Sequence, residues 1–315
     1  MRESEERYIS LLTDFGFKRI FGTVPNQDLL VNFLNSLFEG EQVIKKVTFL
    51  NSENVGDVYT DRKAIFDVYC ENEQGEKFIV EMQNAYQTYF KDRSLFYATF
   101  PIREQAPKGA DWNFKLKTVY VVALLNFDMK DEAFDKQDIV HNVGLMETKT
   151  HREFNGKLRF KYVEIANFNK KPEELVSLND KWLYVLKNLS RLDKQPKELQ
   201  EKVFNKLFAE AKMARFSKTE LKEYEDSLKA YRDIKNSIDS AEEKGRAEGR
   251  AEGRAEGRAE GRAEGRAEGR AEGRAEGRTE GKVETARNLL ALDIPIGTII
   301  KATGLTEEEI KAISD

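Results

Sequence analysis

Leu29, Leu30, Phe33, Leu34, Leu37 and Phe38 recur at intervals of three and four residues, and Gly40 ends the pattern. That spacing gathers them on one face of a helix predicted over Asp28 to Phe38. Three runs rich in β-branched and aromatic residues follow, Lys46 to Leu50, Ala64 to Glu71 and Phe78 to Asn84, and these read as strands. Asn72-Glu73-Gln74-Gly75 joins the last two, and its closing glycine marks a hairpin turn. Helical periodicity returns from Tyr89 to Gln105. Thr118 to Asn126 is then a continuous apolar run suited to a strand covered on both faces. Further strands are predicted at Asp138 to Met146 and Leu158 to Ile165. The order α-β-β-β-α-β implies an α/β fold.

Beyond Pro172 the pattern is helical. Trp182, Leu183, Val185, Leu186, Leu189 and Leu192 form one apolar face, and Val203, Phe204, Leu207, Phe208 and Ala211 another. Ser217 and Glu220 have the spacing of a capping box and open a helix running to about Ile238. Ala-Glu-Gly-Arg then repeats eight times from Ala247 to Arg278, followed by Thr279-Glu280-Gly281-Lys282. A four-residue period winds each residue type around a helix, so no apolar face persists. Like charges meet at i,i+4, and each glycine costs about 1 kcal/mol relative to alanine. A solitary helix is disfavoured there, and a solvated spacer is expected. The tail predicts a short helical hairpin with a glycine turn at Gly304 and a cap at Thr306 with Glu309. Its second helix opens on three glutamates that would repel phosphate, so an interaction hairpin, with homo-oligomerisation through these C-terminal helices, is expected in place of a DNA reader.

Composition narrows the chemistry. One cysteine, Cys70, cannot form an internal disulfide, and two histidines make a zinc site of the usual kind implausible. A metal would need carboxylate ligands. The formal net charge of −4 argues against a generally basic nucleic-acid coat while leaving a local basic groove open. The first residues lack a signal-peptide pattern and no run is long enough to span a membrane, so a cytoplasmic protein without membrane partners is expected.

The hairpin holds the candidate chemistry. Side chains alternate along a strand, so Ile65, Asp67 and Tyr69 share a face, as do Ile79, Glu81 and Gln83. If the loop is Glu73-Gln74-Gly75, Asn72 pairs with Glu76 and Asp67 stands opposite Glu81. A two-residue loop, Gln74-Gly75, would instead set Met82 against Asp67. Two like charges across an apolar strand pair are unfavourable unless a cation lies between them. Mg²⁺ suits such a pair, since it takes oxygen ligands and accepts one or two carboxylates beside water and substrate phosphate. Phosphodiester hydrolysis is the reaction this suggests. Without a metal, the same carboxylates read as polar groups on a solvated hairpin face.

Asp67-Val68, the turn, and Glu81-Met82-Gln83, in this element order, resemble the PD-(D/E)xK nuclease core. Thr13-Asp14-Phe15-Gly16-Phe17-Lys18, Val80-Glu81-Met82-Gln83 and Phe90-Lys91-Asp92-Arg93-Ser94-Leu95-Phe96-Tyr97 resemble more closely the recombination-promoting nuclease and putative transposase family, over roughly residues 8 to 240. The resemblance implies a mixed sheet flanked by helices and a Mg²⁺-dependent DNA endonuclease, with Mn²⁺ as a substitute, promoting recombination or transposition. It implies Asp67 and Glu81 as metal ligands and catalytic residues, and Gln83 as the third catalytic position, where the wider superfamily has lysine. Glutamine brings no positive charge. Lys63 shares the parity of Asp67 and is either a replacement cation and nucleic-acid contact or a lysine at a strand end. A first-helix carboxylate, Asp14 or Asp28, is expected to complete the site. Arg93, with Lys91, Arg103, Lys108, Lys115 and Lys117, would follow phosphates or form a solvated face. The expected organisation is a nuclease-like core at 8–168, a helical subdomain at 169–240, the repeat spacer at 241–282 and a helical tail at 283–315. The alternative is a DNA-binding or assembly protein that keeps the fold without catalysis.

Overall fold

The computed structural model describes residues 7–54, 64–107 and 112–314. Two compact units divide at Asp239 and Ser240.

In the first unit, helices α1 (Asp14–Phe21) and α2 (Gln27–Leu37) precede strand β1 (Val47–Phe49) and the short strands β2 (Glu53–Asn54) and β3 (Ala64–Ile65). The hairpin is β4 (Val68–Asn72) and β5 (Lys77–Gln83); helix α3 (Phe90–Arg103) then crosses to β6 (Val119–Leu125), followed by β7 (Val140–Met146) and β8 (Glu153–Glu164). These form a six-stranded sheet in the order β1-β4-β5-β6-β8-β7, while β2 and β3 pair separately. The sheet is mixed. β5, β6 and β8 run parallel in the middle, and antiparallel partners flank them. A parallel β5–β6 pair requires a crossover, and α3 supplies it.

Both sheet faces are covered, which explains the unbroken burial of β6. Val68, Cys70, Phe78, Val80, Met82, Tyr120, Val122 and Leu124 face one core, shared with α1, α2, α4 (Leu178–Asn188) and α5 (Lys202–Glu210). The helices expected as a separate subdomain thus share their core with the sheet. Trp182 lies at its centre, with ring centroids 5.0–5.7 Å from Phe21, Phe33 and Phe204. Tyr69, Ile79, Val119, Val121, Ala123 and Leu125 face the other core, closed by Phe90, Ala98 and Phe100 of α3.

The turn has the three-residue loop. Asn72 N–H donates to the Glu76 carbonyl (3.0 Å) and Gly75 N–H to the Asn72 carbonyl (3.0 Å), while the Asn72 side chain accepts from the amides of Gln74 and Glu76. Gly75 sits at φ +76°, the left-handed region that glycine enters without a steric cost. Gly75→Ala is expected to lower stability by about 1–2 kcal/mol, read from urea unfolding, because the penalty is backbone strain; an unchanged midpoint would show that the turn adjusts.

One predicted strand is interrupted. Ala64 to Glu71 alternates as a single strand, but Phe66 and Asp67 separate β3 from β4, and β3 pairs with β2. Phe66 is fully buried against Tyr69, Tyr97 and Phe100, so its ring anchors the chain where it bends.

The repeat also departs from expectation. Helix α6 (Lys218–Leu290) runs through all of it, and residues 247–278 are exposed throughout. Counting like-charge pairs and glycines omits the anchored ends. Leu221, Tyr224, Leu228 and Tyr231 near its start belong to the first unit's core, and Ala286 near its end belongs to a second. Nucleation is the costly step, and once it is met, alanine, glutamate and arginine propagate well. In the second unit, α7 (Ile296–Thr303) and α8 (Glu307–Ser314) enclose Ala286, Ile299, Leu305 and Ile310. Thr306 and Glu309 form the expected reciprocal cap. Among the described residues no helix is long and apolar enough to cross a membrane.

Candidate active site

The paired ladder ends at Val68 opposite Val80, and its register, carried one residue further, sets Asp67 against Glu81. Asp67 is in the bend, so its carboxylate supplies a bond that the ladder lacks: Oδ2 accepts from the Met82 amide at 2.8 Å. Glu81 lies near the carboxyl end of β5, and the parallel neighbour β6 ends beside it, the edge where open α/β sheets hold their ligands. By parity Glu81 projects under α3, and it is 6% exposed. Its Oε2 accepts from Gln83 Nε2 (3.2 Å), while Oε1 is buried with no hydrogen-bond partner.

This electrostatic setting is unfavourable for two anions. Burial first, then the nearby Asp67 charge, pushes the Glu81 carboxyl up to about 8. Burial also raises Asp67, against the Met82 amide and Lys18, which favour its charged form. An unpartnered carboxylate oxygen, two hard-oxygen donors and mutual repulsion fit a small divalent cation. Among the described residues, Asp67 and Glu81 form the buried carboxylate pair whose setting would suit such an ion. Mg²⁺ tolerates so sparse a set because water and phosphate fill its other positions.

Lys18 is the residue that the sequence reading passed over. Thr13 caps α1, its Oγ1 accepting from Gly16 N–H, and Gly16 allows close approach: a Cβ there would meet the Ser10 carbonyl oxygen at 2.0 Å. Docked this way, α1 buries Phe17, Ile20 and Phe21 and leaves Asp14 and Lys18 on its polar side. Lys18 Nζ is 2.8 Å from Asp14 and 3.9 Å from Asp67. The signal was the i,i+4 Asp14–Lys18 pair on the polar face of an otherwise buried helix. Of the two first-helix carboxylates left open, Asp14 is on this side, whereas Asp28 pairs with Lys206 at 2.5 Å.

Gln83 follows Glu81 on the same face, and Arg93 reaches it from α3. Arg93 Nη2 donates to Gln83 Oε1 and Nη1 to Gln87 Oε1 (2.5 Å). The guanidinium lies over the rings of Phe90 and Tyr97 at 5.1 and 5.7 Å. Arg93 is therefore directed into the site. Lys91 is held by Asp131 at 2.5 Å, and Lys63 and Lys108 fall outside the described residues.

No curated protein and no solved structure matches the chain. A family described as PD-(D/E)XK nuclease family transposase matches residues 11–241, more than half of the chain and the whole span from α1 to the start of the repeat helix. This chain belongs to the PD-(D/E)XK nuclease family transposases.

Proposed function

We propose that the chain is a Mg²⁺-dependent endonuclease that hydrolyses DNA phosphodiester bonds, with the ion held by Asp67 and Glu81, and that it acts in the cytoplasm to promote recombination or transposition. The observation that carries this reading is the buried Glu81 with an unpartnered oxygen beside Asp67, at the open end of the parallel strands. A bound divalent ion lowers the pKa of water and offsets phosphate charge. The protein's own groups divide the remaining work. Asp67 and Glu81 would hold the ion, Gln83 would donate to the attacking water, and the Lys18 ammonium would offset charge developing on phosphate oxygens.

The test is nicking of supercoiled plasmid by purified protein, with a single-stranded RNA digested alongside. Nicking is expected with Mg²⁺ or Mn²⁺ and none with EDTA, and DNA is expected to be cut in preference to RNA. Lys18→Met is expected to lower kcat by roughly 10²-fold with little change in KM, the size of effect seen when one charge-stabilising donor is removed. DNA binding that weakens with salt, with no cleavage under any metal, would establish instead a binding protein on a nuclease fold.

A further inference from the structure

We propose that Arg93 is a positioning residue that fixes the Gln83 side chain as a one-way hydrogen-bond donor facing the carboxylate pair, so that arginine and glutamine together supply what a single lysine supplies in the wider superfamily. This rests on the nuclease reading above.

A glutamine amide has two ends, an acceptor oxygen and a donor NH₂, and a freely turning one can offer either to its neighbour. Here both ends are determined. A guanidinium has only donors, so the atom facing Arg93 Nη2 must be the oxygen Oε1. With the oxygen taken up by Arg93, the atom 3.2 Å from Glu81 Oε2 is the nitrogen Nε2, which donates to it. The Arg93 contact thus leaves Gln83 presenting its N–H groups to the carboxylate pair. Arg93 is itself held, by Gln87 through Nη1, by the flanking rings of Phe90 and Tyr97, and by its place near the start of α3. Its Nε is buried without a hydrogen-bond partner. A positive charge bonded to the amide oxygen polarises the amide and makes its N–H groups better donors. The positive charge that glutamine lacks thus stands one bond behind it, on the crossover helix.

Two measurements test this. In metal-free protein labelled with ¹⁵N-glutamine, the Gln83 side-chain NH₂ signal, identified by its loss in Gln83→Ala, should be held and shifted in wild type and should move to ordinary free-amide values in Arg93→Met. In Mg²⁺-dependent cleavage, Arg93→Met should lower kcat roughly 10- to 100-fold with KM within about twofold, and the Arg93→Met/Gln83→Ala double variant should be no slower than Gln83→Ala alone, because residues acting as one unit are not additive. Gln83→Lys placed in Arg93→Met should recover at least about tenfold over Arg93→Met, since an ammonium needs no orienting partner. The proposal is overturned if the Gln83 signal is unmoved by Arg93→Met, or if the two single effects multiply. It is equally overturned if Arg93→Met raises KM at constant kcat and lowers the salt slope of binding by about one, the mark of a phosphate contact. A wild-type protein that does not cleave would remove the nuclease reading, while the amide signal would still decide whether Arg93 orients Gln83.

Discussion

Asp67→Ala is expected to reduce Mg²⁺-dependent plasmid nicking by about 10³-fold or more, the scale set by losing a group around which the reacting atoms are arranged. Alanine removes two things at once. It deletes a carboxylate oxygen facing Lys18 and the proposed metal position, and it leaves the Met82 amide without the acceptor 2.8 Å away. Asp67→Asn separates them, since the asparagine carbonyl can still accept from Met82 while the negative charge is gone. The Asn variant should therefore melt within a few degrees of wild type yet cleave as poorly as the Ala variant. If Asp67→Asn retained most of the cleavage, the carboxylate would be a strand-end cap and the metal would have to be held elsewhere.

Glu81→Gln is expected to abolish cleavage and, without metal, to stabilise the protein at alkaline pH. The folded-state carboxyl is raised to about 8 by burial and by Asp67, against an ordinary value of 4.5. Between those values the native state holds a proton that the unfolded chain releases, so stability falls as pH rises through this window and levels off above it. The stability associated with Glu81 is thus fully present below about 4.5 and lost by about 8, on the order of a few kcal/mol for a shift of this size. In EDTA the wild-type melting temperature should fall relative to Glu81→Gln between pH 5 and pH 9, and saturating Mg²⁺ should reverse the fall in wild type alone. Parallel melting curves for the two proteins across that range would show that Glu81 is not strained.

Much of the sheet was readable because its residues obey one local rule at a time. Asn72 to Gly75 specify a three-residue turn, the turn sets the register, and the register brings Asp67 to the level of Glu81. The bend at Phe66 and Asp67 was hidden because the residues on either side keep the alternation of a strand, and what breaks it is the docking of the Phe66 ring against Tyr97 and Phe100, a long-range contact. Lys18 was hidden for the same reason. Its motif was visible, but its approach to Asp67 depends on how closely α1 packs at Gly16. The helix through the repeat was not legible because a sum over its own residues leaves out its ends, whose apolar side chains join cores near Leu221 and Ala286.

The bond from the Met82 amide to Asp67 couples a backbone proton to the charge at the centre of the site. A cation that draws electron density from the Asp67 carboxylate weakens that acceptor, and one that stiffens the bend shields it from solvent. If Asp67 and Glu81 hold the proposed ion, hydrogen–deuterium exchange at this single amide becomes a clock that runs at a different rate with and without it. It reads occupancy from the protein's own backbone, with no substrate present.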